Sequence, residues 1–251
     1  MPSEKERLDR LCEELAGGSE AKLETGQIGM MGEKRLHMLG KRLACPHSDC
    51  HEVRVGQYHA DVLCDGEITE VQTASWYPLQ KKLRYYLEQT DYRVTLLCPV
   101  VAKRRLIRLD AQTGEVMRCR LSPKRVRAWQ MLAEAYWIGD LLEHERFRVR
   151  ILYLAADEYR YSERLERGRK AGRYEKEVFP RELLAEETWQ GRDSLIPLVE
   201  MLPEEFDRKT FGTVSGLTGQ IAWRALTLLC RLGFLDAKKE GKAYRYRRTL
   251  T

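Results

Sequence analysis

Two residues, Asp65-Gly66, separate two runs of alternating apolar residues, and that pattern restricts the middle of the chain to antiparallel strands. Upstream, Val53, Val55, Tyr58, Ala60 and Val62 alternate with polar neighbours; downstream come Ile68 and Val71. Alternation puts successive side chains on opposite faces of a strand, and Asp-Gly suits a type I′ turn, whose two central residues both need positive φ. A hairpin turning there pairs Cys64 with Glu67 and, three steps outward, Asp61 with Glu70. His59, Asp61 and Leu63 then share a face with Ile68, Glu70 and Gln72, and directly opposed Cβ atoms lie about 4.5–5.5 Å apart. Like charges at that separation destabilise a sheet unless something neutralises them. Mg²⁺ (or Mn²⁺) is a suitable neutraliser: it accepts one or two carboxylates and keeps its other positions for water and substrate phosphate. Two solvated acids beside a turn are the alternative.

The flanking pattern predicts a mixed α/β (α+β) fold. Leu8, Leu11, Cys12 and Leu15 recur at helical spacing until Gly17-Gly18, and Met31, Leu36, Leu39 and Leu43 mark a second helix from about 30 to 43. Residues 79–88 read as a helix, 92–101 as a buried strand, 106–121 as a hairpin turning near Gln112-Thr113-Gly114, 126–142 as a helix and 147–154 as a strand. Past Asp157, Arg160, Arg164, Arg167, Arg169, Lys170, Arg173 and Lys176 crowd a stretch with few large aliphatic residues, which predicts a basic linker over 158–193. The expected divisions are an N-terminal helix in 1–25, a core in 26–157, that linker, and a second module in 194–251.

Asp61, then Glu70-Val71-Gln72 on a hairpin, preceded by a helix carrying Glu33, resembles the PD-(D/E)XK, restriction-endonuclease-like nuclease superfamily. The resemblance implies a mixed sheet flanked by helices. It implies a catalytic set of Glu33, Asp61, Glu70 and Gln72, in which Asp61 and Glu70 bind Mg²⁺ or Mn²⁺ and Glu33 is an auxiliary acid. Gln72 stands where the superfamily carries lysine. Glutamine can hold a water by hydrogen bonds but supplies no positive charge, so a lysine from elsewhere is expected, with Lys81 and Lys82 as candidates. More narrowly, Glu70-Val71-Gln72-Thr73, Leu79-Gln80-Lys81-Lys82-Leu83 and Val94 to Val101 with its internal Pro99 resemble a loosely characterised bacterial family with a nuclease-like core and a C-terminal winged helix.

The C-terminal pattern supplies the second module. In 218–232 the apolar face is Ile221, Ala225, Leu228, Leu229 and Leu232, leaving Gln220, Trp223, Arg224, Thr227 and Arg231 outward until Gly233 ends the helix. A hairpin with Glu240-Gly241 at its tip follows, carrying Lys238, Lys239, Lys242, Arg245, Arg247 and Arg248 among Tyr244 and Tyr246. Helix plus basic hairpin resembles a winged helix, which points Arg224, Lys238, Lys239, Lys242, Arg245 and Arg247 at DNA; a small helical domain used for protein contacts, with its charge solvated, is the alternative. The whole chain's formal charge is only +6, and residues 238–248 alone contribute +5. The basic runs at 103–108 and 118–127 are expected to be mostly salt-bridged surface.

Seven cysteines, an odd number irregularly spaced, and a charged N-terminus point to reduced thiols and a cytoplasmic protein, with no apolar run long enough for a membrane span. Cys45-Pro46-His47-Ser48-Asp49-Cys50-His51 packs soft ligands together, but no second ligand pair follows at zinc-site spacing, so an ordinary loop is expected there. His37 is expected to be structural or on the surface, and His59, opposite Gln72, is the stronger catalytic outsider. A homodimer would supply two sites for two DNA strands, although no interface is legible.

Overall fold

The computed structural model describes residues 4–23, 32–110, 113–162, 175–241 and 243–249. Asp65 and Gly66 both take positive φ, 49° and 74°. Around them β2 (Tyr58–Cys64) pairs antiparallel with β3 (Glu67–Val71), Cys64 opposite Glu67 and Val62 opposite Thr69. The upstream alternation is two strands, because β1 (His51–Val55) turns into β2 at Gly56, φ 60°, and pairs Val53 with Ala60. The three-residue step from Val55 to Tyr58 breaks strict alternation and was the available signal.

Helix α1 spans Glu4–Leu23 and runs through Gly17-Gly18, where the sequence predicts a stop. Leu8 and Cys12, fully buried, anchor it in one core with Leu36, Leu39 and Leu43 of α2 (Gly32–Ala44). Once a helix is nucleated by such packing, each further residue adds a hydrogen bond, which offsets about 1 kcal/mol per glycine. Helix α3 spans Gln80–Gln89, and β4 (Arg93–Asp110) unites what reads as two separate strands before pairing with β5 (Val116–Leu121). Helix α4 (Ala128–Ala135) is shorter than its pattern predicts, the chain tightening to a 3₁₀ turn at Gly139–Glu143.

The linker expected at 158–193 is largely strand: β6 covers Phe147–Ser162 and β7 Glu175–Trp189. The charged residues are not simply solvated: Asp157 pairs with Arg105 (2.6 Å) and Arg181 (3.0 Å), Glu158 with Arg104 (2.7 Å) and Arg160 (2.6 Å), and Glu177 with Arg35 (3.1 Å). Arg164, Arg167, Arg169, Lys170 and Arg173 lie outside the described residues. The resulting seven-stranded mixed sheet has the order β1-β2-β3-β4-β6-β7, with β5 on β4, and it extends the core well past residue 157.

The chain divides into two compact units, Met1–Thr73 with Leu97–Val126 and Ile151–Glu187, and Ala74–Leu96 with Arg127–Arg150 and Thr188–Thr251. In the first, α1 and α2 pack over Val71, Leu97, Leu152 and Leu154 of the sheet. In the second, the Arg146 guanidinium donates to the carbonyls of Leu87, Thr90 and Tyr92 at 2.6–3.0 Å, satisfying the open end of α3. That unit also holds α5 (Ile196–Glu200), β8 (Glu205–Asp207), α6 (Arg208–Ser215), α7 (Gly219–Arg231), β9 (Leu235–Glu240) and β10 (Ala243–Arg248). The last strands form a three-stranded sheet ordered β8-β10-β9. Among the described residues no helix is long and apolar enough to cross a membrane.

Candidate functional site

Helix α2 can approach the hairpin closely because Gly40 has no side chain: a Cβ there would meet Val71 Cγ1 at 2.6 Å. That approach brings the next turns of the helix, His37 and Lys41, onto Asp61. His37 Nε2 donates to Asp61 Oδ2 (3.1 Å), which places the ring proton on Nε2. The Lys41 ammonium lies 3.7 Å from Asp61 Oδ1 and also bonds the Glu52 carboxylate. Lys41 is itself largely covered, its side chain 13% exposed.

The two acids are not solvated. Asp61 is 9% exposed and Glu70 only 1%. Their contacts cross the strand pair reciprocally: the Val71 N–H donates to Asp61 Oδ2 at 2.8 Å, and the Asp61 N–H donates to Glu70 Oε1 at 3.4 Å. Such bonds orient each carboxylate, and burial away from water makes a nearby cation count for more. Glu52, on β1, has φ 53°, a left-handed backbone that costs a non-glycine residue about 1–2 kcal/mol. Its ion pair with Lys41 accompanies that distortion, so a second carboxylate converges on the same lysine.

Gln72 follows the end of β3, its N–H bonded to the Leu97 carbonyl at 2.9 Å, and it is half-buried. Glu33 falls within α2, but its side chain lies outside the described residues. The histidine at the acids is His37; His59 is exposed on β2. The lysine at the acids is Lys41. Lys81 and Lys82 sit on α3 in the other compact unit, where the Lys82 ammonium stands 6.0 Å over the Tyr86 ring. The signal for Lys41 was present in the sequence: Glu33, His37 and Lys41 recur every fourth residue, which is one helix face.

The basic candidates divide into two groups. Arg104 and Arg105 are held by Glu158 and Asp157, as expected of salt-bridged surface. Arg108 lies opposite Arg118 in the β4–β5 ladder, and these two line a cavity of about 100 Å³ with Arg120 and Arg160.

In the C-terminal module, Lys238, Lys239, Arg245 and Arg247 are exposed, whereas Lys242 lies outside the described residues. Arg247 stands opposite Asp236 on one side and Glu205 on the other, and Arg245 opposite Asp207, so acids of β8 and β9 flank both arginines. Arg224, expected to face outward, lies with its guanidinium 4.8 Å over the Trp137 ring, and its Nε is buried without a hydrogen-bond partner. Tyr136 packs against Trp223 (5.4 Å) and under Arg231 (4.5 Å). The aromatic pair after α4 therefore occupies part of the α7 face that the sequence assigns to DNA. Ile221, expected in the apolar face, is 50% exposed, and Ala222 and Leu226 are buried in its stead.

Residues 34–190 match the family described as "Domain of unknown function (DUF8091)". The chain belongs to that family. The DUF8091 match covers α2, the acid-bearing hairpin and the sheet through β7, and stops short of the β8-β10-β9 module. A protein of Treponema pallidum (strain Nichols), described as "Uncharacterized protein", is 30% identical over 228 residues, covering 88% of this chain and 87% of that protein. No solved structure matches.

Proposed function

We propose that this DUF8091 protein is a metal-dependent nuclease-like protein that hydrolyses DNA phosphodiesters, with Asp61 and Glu70 as the ligands of Mg²⁺ (or Mn²⁺). The observation that carries this reading is Lys41, a largely covered ammonium 3.7 Å from the buried Asp61 carboxylate, whose own N–H bonds the buried Glu70 carboxylate of the next strand. The donor set suits the ion, since hard divalent cations take carboxylate oxygens. When bound, the ion would polarise the phosphate and lower the pKa of a coordinated water.

The chain's own residues have separable parts. Asp61 is oriented by the Val71 N–H and His37, and Glu70 by the Asp61 N–H. Lys41 supplies the positive charge that Gln72 cannot, directed at the charge that develops on a phosphoryl group. Gln72 orients water by hydrogen bonds, and Glu33 serves as the auxiliary acid. The arrangement of a helix, an antiparallel meander bearing the acids, and a helix leading to the neighbouring strand supports a restriction-endonuclease-like core. Strand, helix, helix and a hairpin in the sheet order β8-β10-β9 support a winged helix, with Lys238 and Lys239 as its freest phosphate contacts.

A second reading, a DNA-binding or assembly protein that keeps this core without cutting, is favoured by one observation. The Lys41 ammonium already stands beside Asp61 and His37 hydrogen-bonds it, so part of the site's charge is met by a protein group. Incubation with plasmid or branched DNA and Mg²⁺ or Mn²⁺ separates the two. Cleavage lost in Asp61→Ala supports the enzyme; binding without cleavage in the intact chain supports the second reading.

A further inference from the structure

We infer that Cys45, Cys50 and Cys64 bind one zinc ion through three thiolates, at a centre whose soft sulfur chemistry differs from that of the Asp61 and Glu70 carboxylates. The sequence presents Cys45 and Cys50 as a single pair without a second. The fold supplies the third ligand from β2. Cys45 follows the last residue of α2, its N–H bonded to the Lys41 carbonyl at 2.9 Å. Cys50 closes a 3₁₀ turn at Ser48–Cys50, and Cys64 ends β2 at the edge of the Asp65-Gly66 turn. The three sulfurs lie within 4.8 Å of one another.

That spacing suits one shared ion. Zinc bound tetrahedrally at about 2.3 Å per thiolate sets its sulfurs about 3.8 Å apart, so the trio needs to contract by no more than about 1 Å. A disulfide needs about 2.05 Å and would consume only two of the three. Magnesium prefers oxygen, whereas thiolates select zinc among the common divalent ions. The loop is also held in shape: His51 Nε2 donates to the Cys45 carbonyl at 2.8 Å, fixing the relation between the two loop cysteines. Cys50 and Cys64 are half-buried and Asp49 and Asp65 beside them are exposed, so a fourth ligand from solvent would have access to the ion. On binding, each thiol loses its proton to solvent and no electron is transferred.

The ion would clamp the end of α2 to the end of β2. Lys41 precedes Cys45 by one helical turn, about 6 Å along the axis. Asp61 precedes Cys64 by three strand residues, about 10 Å. The clamp therefore joins the two elements whose approach sets the Lys41–Asp61 contact.

The test is metal analysis of the full chain expressed with zinc and purified without chelator. About one zinc per chain is expected, falling to about a tenth or less in Cys64→Ser and Cys45→Ser and unchanged in Cys119→Ser, since Cys119 is exposed on β5. Because a serine variant can fail to fold, Co²⁺ is also titrated into chelator-stripped wild-type protein, where a thiolate-to-cobalt charge-transfer band is expected. Zinc-free protein with no cobalt band overturns the inference. So does stoichiometric zinc retained in Cys64→Ser, or a preparation in which two of the three thiols are oxidised to a disulfide. None of these readouts depends on DNA cleavage, so failure here and failure of the nuclease reading are distinguishable.

Discussion

The Lys41 ammonium stands 3.7 Å from Asp61 Oδ1, from a helix that precedes the acid-bearing hairpin. If that charge serves a phosphoryl transition state, Lys41→Met should lower DNA cleavage by about 10²–10³-fold, the usual loss on removing one preorganised donor. DNA binding should change little, because the contact to Asp61 is local. A gel assay of both activities in parallel checks this; a loss under tenfold would remove Lys41 from the chemistry.

Metal binding at Asp61 and Glu70 should appear as stability. A ligand held only by the folded state stabilises it by about 2.7 kcal/mol at a hundred times its dissociation constant. Thermal unfolding of the wild type should therefore shift upward on titrating Mg²⁺ or Mn²⁺. Glu70→Gln keeps the side-chain shape at a site only 1% exposed and removes the charge, so it should fold and lose that shift. An equal shift in both proteins would place the metal elsewhere.

The hairpin itself was legible, since the Asp65-Gly66 turn and the period-two pattern predict the register seen from Cys64–Glu67 to Val62–Thr69. Lys41 was harder to see because a helix face is a weak signal until something shows which strand it covers, and Gly40 settles that only through its distance to Val71. The β6 and β7 strands were hidden for a different reason. Asp157, Glu158 and Glu177 are buried through partners far away in sequence, so a charge-rich stretch carries little trace of being sheet. The same applies to Cys64, which joins Cys45 and Cys50 only through the fold.

Gly40→Ala tests the close approach of α2. Alanine gains about 1 kcal/mol of helix propensity over glycine. Against that, its Cβ would sit 2.6 Å from Val71 Cγ1 and 3.0 Å from Cγ2, on a β-branched side chain with little rotamer freedom. Overpacking of this kind costs about 1–3 kcal/mol, so a net loss is expected. Denaturant unfolding should show it; a stabilised variant would mean the helix yields freely.

Asp207 caps α6, accepting from the Thr210 N–H (2.8 Å) and hydroxyl (2.9 Å). Those bonds hold its pKa below the usual aspartate value. A depressed folded-state pKa means the carboxylate stabilises the fold above its unfolded value and loses that contribution as pH falls through the folded one. Asp207→Asn keeps a capping oxygen without the titration, so its stability should fall less than the wild type's on acidification. Parallel acid-range melts of the two proteins measure the difference, and identical slopes would dismiss the cap as a source of pH dependence.

The C-terminal basic residues should behave as two kinds. Lys238 and Lys239 are exposed on β9, so if they meet DNA phosphates, replacing both with alanine should reduce the slope of log affinity against log salt by about 2, at roughly 0.9 per phosphate. Arg224 should act through packing. Its guanidinium lies over Trp137, and truncation to alanine exposes that ring and loosens α7. The expected result is a lower melting temperature, with the salt slope unchanged in whatever binding survives. A salt slope that falls in Arg224→Ala without a stability loss would return Arg224 to the DNA face, and would mean that Tyr136 and Trp137 move aside when nucleic acid binds.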